Sequence, residues 1–167
     1  MISTKLVDEA KKLAISAHKG QTYGPDNRPY LWHLEKVAGL ATRLGYPDEV
    51  IAACWLHDVV EDTDVGIADL SDFPQSIINA VEAVTFDKTI DKDKLDKAKK
   101  TPLGHVVKYC DASINFSASA IDGPRAGHTQ WEVSVERYPV YLIRLHLGLP
   151  TPQEINKHLE DLNTNVQ

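Results

Sequence analysis

The chain has 167 residues, 43% of them hydrophobic, with 18 basic and 24 acidic side chains and a net charge of −6. That length supports one domain with a substantial core, so residues 1–167 are expected to form a single unit. The acidic balance excludes a general nucleic-acid binder, which needs basic faces against phosphate, and no apolar run reaches the about 18 to 20 residues of a membrane span.

Helical periodicity runs through the chain, and no alternating strand pattern is found, so the fold class is all-α. Leu6, Ala10, Leu13, Ala14 and Ala17 make the apolar face of a first helix that Ser3 or Thr4 can cap and Gly20 can end. The start of this helix is amphipathic and does not have the form of a signal peptide, and a cytoplasmic location is expected. Residues 21–29 concentrate Gly24, Pro25, Asp26, Asn27 and Pro29 and read as a loop. A second helix is expected from near His33, with Leu34, Val37, Ala38, Ala41 and Leu44 on one stripe and Gly45 after it.

Asp48 is a plausible cap for a buried third helix that runs through Ile51-Ala52-Ala53-Cys54-Trp55-Leu56 directly into His57-Asp58-Val59-Val60-Glu61-Asp62. From Gly66 to Phe86 a short helix and a longer one are expected, separated near Pro74. The alternating Lys and Asp of residues 87–100 read as a solvated or mobile segment, not a binding patch. Thr101-Pro102 opens a helix carrying Leu103, Val106, Val107, Cys110 and Ile114, with Asp111 interrupting its apolar side. After a break at Gly123-Pro124, Trp131, Val135, Tyr138, Leu142 and Leu145 continue a helical stripe, kinked or restarted at Pro139, and a last helix spans Thr151 to about Leu162. Cys54 and Cys110 read as reduced core residues, and Trp131, Tyr138 and Tyr141 as core or interface. His18, His105, His128, His146 and His158 read as structural.

The junction at residues 57–62 carries the chemistry. Carboxylates at the end of a core-forming stretch are costly unless a cation, a metal or hydrogen bonds compensate them. On a continuous helix His57 and Asp58 approach one ion from adjacent directions, with Glu61 and Asp62 one turn further along. Together with His33 and Asp111 they offer mixed nitrogen and oxygen ligation. That set suits Mn²⁺ best, with Fe²⁺, Co²⁺, Ni²⁺ or Zn²⁺ as alternatives.

The ordered pattern resembles the HD-domain metal-dependent phosphohydrolases, and within them the small alarmone hydrolases. It is carried by Pro29-Tyr30-Leu31-Trp32-His33, by Cys54 through Thr63, and by Pro102-Leu103 leading to Val107-Lys108-Tyr109-Cys110-Asp111 and Asn115. The resemblance implies a compact multi-helix bundle, with His33, His57, Asp58 and Asp111 holding one divalent ion. It makes Glu61 and Asp62 the pair that orients or activates water and sets Asn115 near the substrate ribose. Two positions depart from the pattern. Tyr23-Gly24 stands where an Arg-Lys pair is usual, leaving Arg28 as the nearest cation and a candidate substrate contact, and Ala112 replaces a basic residue after Asp111.

The expected partner is a small phosphorylated nucleotide, with neither nucleic acid nor membrane involved and no oligomeric state indicated. The expected activity is removal of the 3′-pyrophosphate from guanosine tetra- and pentaphosphate. The alternatives are a nucleotide phosphomonoesterase of nucleotidase or NADPH-phosphatase type, and a non-catalytic nucleotide-binding module.

Overall fold

The computed structural model describes residues 4–87, 93–122 and 128–164, and the side chains of all of these except 122 and 128–136. In chain order the described elements are α1 (Lys5–Ala17), β1 (Thr22–Tyr23), β2 (Arg28–Pro29), α2 (Leu31–Arg43), α3 (Asp48–Leu56), α4 (Val59–Asp62), a 3₁₀ turn (Ile67–Leu70), α5 (Gln75–Val84), α6 (Lys94–Ala98), α7 (Pro102–Asp122), α8 (His128–His146) and α9 (Pro152–Thr164).

Helix α3 is the axis of this arrangement. It buries Val50, Ala52, Ala53, Cys54, Trp55 and Leu56, so it presents no polar face and is stable only when surrounded. Helices α1, α2, α5 and α7 surround it, and α8 lies along α7. Gly45, at φ +81°, closes α2 in the left-handed conformation that lets the chain turn into α3. Gly104 serves closeness instead: a Cβ there would stand 2.6 Å from Thr101 Oγ1 and 3.0 Å from Ala83 Cβ and the Ala98 carbonyl. This permits the tight approach of α5, α6 and α7. Cys54 and Cys110 are both buried thiols.

Several expectations are corrected. The loop at residues 21–29 contains a minimal antiparallel ladder, Thr22 against Pro29 and Tyr23 against Arg28, too short for alternation to register in the sequence. Thr4 stands at the N-cap of α1 without a side-chain bond, and Pro47, not Asp48, occupies the N-cap of α3. Helix α2 begins at Leu31, two residues before His33. The third helix does not continue through the titratable block. It ends at Leu56, Asp58 adopts φ −106° and ψ −2°, and a separate single turn, α4, carries Glu61 and Asp62. The local cause is that the His57 ring turns back to its own helix, Nδ1–H donating to the Cys54 carbonyl at 2.7 Å. Helix α8 passes through Pro139 without a restart. The expected break at Gly123-Pro124, the side chains of Trp131, Val135 and His128, and residues 88–92 of the Lys/Asp segment lie outside the described residues.

The described part of that segment is not simply solvated. Leu95 and Ala98 of α6 are buried, Lys97 donates to the Thr85 carbonyl, and Lys99 donates to the Arg144 carbonyl. Among the described residues no helix is long and apolar enough to cross a membrane.

Candidate metal centre

Three segments deliver the buried polar groups. His33 lies in the first turn of α2, His57 and Asp58 in the turn that ends α3, and Asp111 midway along α7 among Val107, Cys110 and Ala112. His33 and His57 are 1% and 2% exposed and Asp111 is 5% exposed, so their polar atoms must find partners within the protein.

Those partners are each other. His33 Nε2 and His57 Nε2 lie 3.2 Å apart, and Asp58 Oδ2 is 2.8 Å from His57 Nε2 and 3.6 Å from His33 Nε2. Asp111 Oδ1 approaches the same two nitrogens at 3.3 and 3.7 Å. The donor atoms of His33, His57 and Asp58 fall within 4.8 Å of one another. Because His57 Nδ1–H is committed to Cys54, Nε2 is the nitrogen that carries the lone pair once the ring is neutral, which is the tautomer a metal ligand needs. Two imidazole nitrogens aimed at one point between two carboxylate oxygens form a donor set that fits a divalent cation.

The electrostatics express the same demand for positive charge. Burial disfavours a charged His57, yet the Asp58 and Asp111 carboxylates outweigh it and push its pKa up to about 10. Burial likewise acts against the charge of Asp58, and the His57 imidazolium overrides it, holding that carboxyl at about 2. Asp111 is held well below the carboxylate range against the cost of burial, first by Lys108, whose Nζ donates to Asp111 Oδ2 at 2.7 Å.

A pH dependence follows. Protonated His57 stabilises the metal-free fold fully below its unfolded pKa of 6.5, and that contribution is lost as pH rises through about 10. Metal-free protein is expected to melt at progressively lower temperature across that window. A bound divalent ion must displace the His57 proton, so its affinity should climb about tenfold per pH unit over the same range. Thermal melts with and without Mn²⁺ across the window check both; a metal-induced shift that is flat with pH would remove His57 from the ligand set.

Supporting groups surround the donors. Tyr30 OH donates to Asp58 Oδ2 at 2.6 Å and to Asp62 Oδ2 at 3.2 Å, and burial followed by the Asp58 charge pushes its phenol strongly upward. His18 stacks on the Tyr30 ring at 4.6 Å and bonds Gln21, which donates to the Asp62 carbonyl. His18 therefore stays outside the donor set while packing against a residue that holds it. Tyr30→Phe, which leaves the ring in place, should cost about tenfold to a hundredfold in Mn²⁺ affinity or turnover, and unchanged values for both would show that the hydroxyl does not orient Asp58.

Above the donors lies a pocket of 140 Å³ lined by Tyr30, His33, Asp58, Lys94, Asn115 and Tyr138, among others. It shares Lys94, Lys108 and Tyr141 with a larger pocket of 520 Å³ that adds Glu61, Arg137 and Arg144. Lys94 is depressed by burial and by the nearby Lys108 and Arg137 charges, as expected where cations crowd together. Arg137 Nε is buried without a partner among the described residues, and its guanidinium lies 5.0 Å from the Tyr138 ring.

Of the residues singled out in the sequence, His33, His57, Asp58, Asp111 and Asn115 thus meet in one place. Asp62 joins them through Tyr30, and Glu61 faces the larger pocket with Oε2 accepting the Phe86 N–H at 3.0 Å. Arg28 does not join them: it bonds Asp26 at 2.7 Å and lies over Trp32 at 4.5 Å. Sequence reasoning missed Lys94, Lys108 and Arg137, and assigned Tyr138 and Tyr141 to core or interface although both line the pocket. Their one-turn relations, Lys108 to Asp111 and Arg137 to Tyr141, were the available signal.

The sequence profile of the HD domain matches residues 10–105, and the ligand-bearing turn lies inside that span. The chain belongs to the HD-domain family. Among its relatives, the guanosine-3′,5′-bis(diphosphate) 3′-pyrophosphohydrolase of Danio rerio is 34% identical over 124 residues, 68% of this chain and 69% of that protein. The Mus musculus protein of the same name is 31% identical over 166 residues, covering 92% of this chain and 90% of its own length. The bifunctional (p)ppGpp synthase/hydrolase SpoT of Escherichia coli is 34% identical over 96 residues, only 12% of that longer protein. A solved structure described as a metazoan ortholog of SpoT that hydrolyzes ppGpp superimposes with a TM-score of 0.75 over 93% of both chains at 21% identity, a likeness in fold.

Proposed function

We propose that residues 1–167 act as one metal-dependent phosphohydrolase domain that removes the 3′-pyrophosphate from guanosine tetra- or pentaphosphate. The observation that carries this reading is the convergence of His33, His57, Asp58 and Asp111 on one buried point. The names of the 31–34% identical relatives supply the substrate class. Mn²⁺ is assigned as the ion, because two imidazoles and two carboxylates leave room for the five or six ligands it prefers. When bound, the ion supplies a water of lowered pKa and polarises a phosphoryl oxygen.

The chain's own residues do the rest. Lys94, Lys108, Arg137 and Arg144 line the pocket that continues from the donors and offer positive charge to a chain of phosphates, and a developing negative charge is stabilised by cations already in place. Glu61 and Asp62 stand on the following turn, where a carboxylate can take a proton from the attacking water. Tyr30 keeps Asp58 and Asp62 in register with each other.

One feature favours a second reading, a nucleotide phosphomonoesterase. Tyr23-Gly24 stands where the alarmone hydrolases usually carry an Arg-Lys pair that helps hold the guanine nucleotide, so cationic contacts to it are not supplied there. Product analysis separates the two. Mn²⁺-loaded protein given guanosine tetraphosphate should release pyrophosphate and lose that activity on chelation. Orthophosphate from a nucleoside monophosphate or from NADPH, with no pyrophosphate from the tetraphosphate, favours the phosphomonoesterase. Nucleotide binding without hydrolysis favours a non-catalytic module.

A further inference from the structure

The two imidazoles of the centre are held in different ways. His57 is fixed by a hydrogen bond from Nδ1 to the Cys54 carbonyl, whereas His33 Nδ1 is buried with no hydrogen-bond partner among the described residues. A ligating histidine without an outer hydrogen bond needs some other constraint on its ring plane. The ring of Tyr23 provides one. It lies parallel to the His33 ring, with centroids 4.7 Å apart and planes 11° apart, while Tyr30 meets the same imidazole edge-on at 5.6 Å. Tyr23 is itself held by Trp32 at 5.6 Å and by the ladder that pairs it with Arg28.

The same side chain reaches across the pocket. Tyr23 OH donates to Asn115 Oδ1 at 2.7 Å, and Asn115 Nδ2 donates to Asp111 Oδ1. A carboxamide has one oxygen and two N–H donors. With one oxygen lone pair taken by Tyr23 and one N–H given to Asp111, the orientation of the Asn115 amide is fixed, and its second N–H is left for the pocket it lines. That N–H calls for an acceptor on the substrate, such as a phosphate, ether or hydroxyl oxygen.

We propose, resting on the metal-dependent reading above, that Tyr23 is a positioning residue with two arms. Its ring fixes the plane of the ligand His33, and its hydroxyl fixes Asn115 as a hydrogen-bond donor to an acceptor atom of the substrate. The arms are separable by substitution: Tyr23→Phe keeps the ring and removes the hydroxyl, while Tyr23→Leu removes the ring as well.

The experiment measures Mn²⁺ affinity by titration of free Mn²⁺, and KM and kcat on whichever nucleotide the wild-type chain hydrolyses, with a thermal melt to establish folding. Tyr23→Phe should bind Mn²⁺ within about twofold of wild type and raise KM about fivefold to tenfold with little change in kcat, the scale of one hydrogen bond. In an Asn115→Ala background the same substitution should cost nothing more, because its effect passes through Asn115. Tyr23→Leu should weaken Mn²⁺ binding about tenfold, the scale of a lost outer contact.

Wild-type Mn²⁺ affinity in a folded Tyr23→Leu overturns the first arm, and independent costs of Tyr23→Phe and Asn115→Ala overturn the second. If the wild-type chain takes up Mn²⁺ but hydrolyses nothing, the enzymatic reading fails while the metal arm is still read directly and the Asn115 arm is read as guanosine 5′-diphosphate binding. A wild-type chain that takes up no Mn²⁺ sinks both.

Discussion

His57→Ala should lower turnover by at least about a thousandfold, equivalent to about 4 kcal/mol of barrier. The loss follows from the position of Nε2, which lies 3.2 Å from His33, 2.8 Å from Asp58 and 3.7 Å from Asp111, closer to the other donors as a set than any of them. Without that nitrogen the remaining donors cannot close around an ion, and water at its ordinary pKa is a poor nucleophile at neutral pH. A second effect accompanies the first. In metal-free protein the protonated His57 is the main cation that keeps Asp58 ionised, and it adds to Lys108 in keeping Asp111 so. Its removal leaves two like charges with less compensation and should cost about 3 kcal/mol of metal-free stability, on the scale of a broken buried pair. Metal analysis, product release and a urea melt read the three consequences separately. A variant that keeps full activity, or one that binds metal as tightly as wild type, would move the ion away from this centre.

The parts of the site that could be read from the chain are those in which chemistry interrupts pattern. His57-Asp58 follows a run of apolar residues, and Asp111 stands inside an apolar helical face, so each is conspicuous before any fold is known. Lys94 is the opposite case. It sits in a run of alternating Lys and Asp that reads as a solvated surface, and it reaches the pocket only because Leu95 and Ala98 dock α6 against its neighbours. That docking is a tertiary event which two apolar residues in a charged run do not announce.

The turn at residues 57–58 was hidden for a different reason. The residues up to and through the block are compatible with a helix, and what ends α3 is a side chain competing for a backbone carbonyl, the His57 bond to Cys54. Tyr23 stands out in the sequence only as a departure from a cationic pair. Its contacts with His33 and Asn115 depend on a ladder two residues long, below the length at which alternation carries information.

Asp62→Asn and Glu61→Gln should each cut turnover by about a hundredfold to ten-thousandfold while metal uptake survives, the range of a lost general base. The geometry gives the two carboxylates unequal tasks. Asp62 shares the Tyr30 hydroxyl with the ligand Asp58, and partial desolvation of its carboxyl together with the Asp58 charge raises its pKa, which suits it to accept a proton. Glu61 is tied to the Phe86 N–H and faces the cationic pocket, so its loss should bear more on how the phosphates and water are arranged there. The pH profile distinguishes them. A base works only when deprotonated, so the wild-type rate should rise with pH through the raised Asp62 pKa, and Asp62→Asn should flatten that acid limb whereas Glu61→Gln should preserve it at a lower level. Both side chains are exposed, so neither amide is expected to shift the melting temperature appreciably, and a loss of activity can be read as a loss of chemistry. Normal turnover in both variants would remove the pair from the reaction, and loss of Mn²⁺ in either would turn that carboxylate into a ligand.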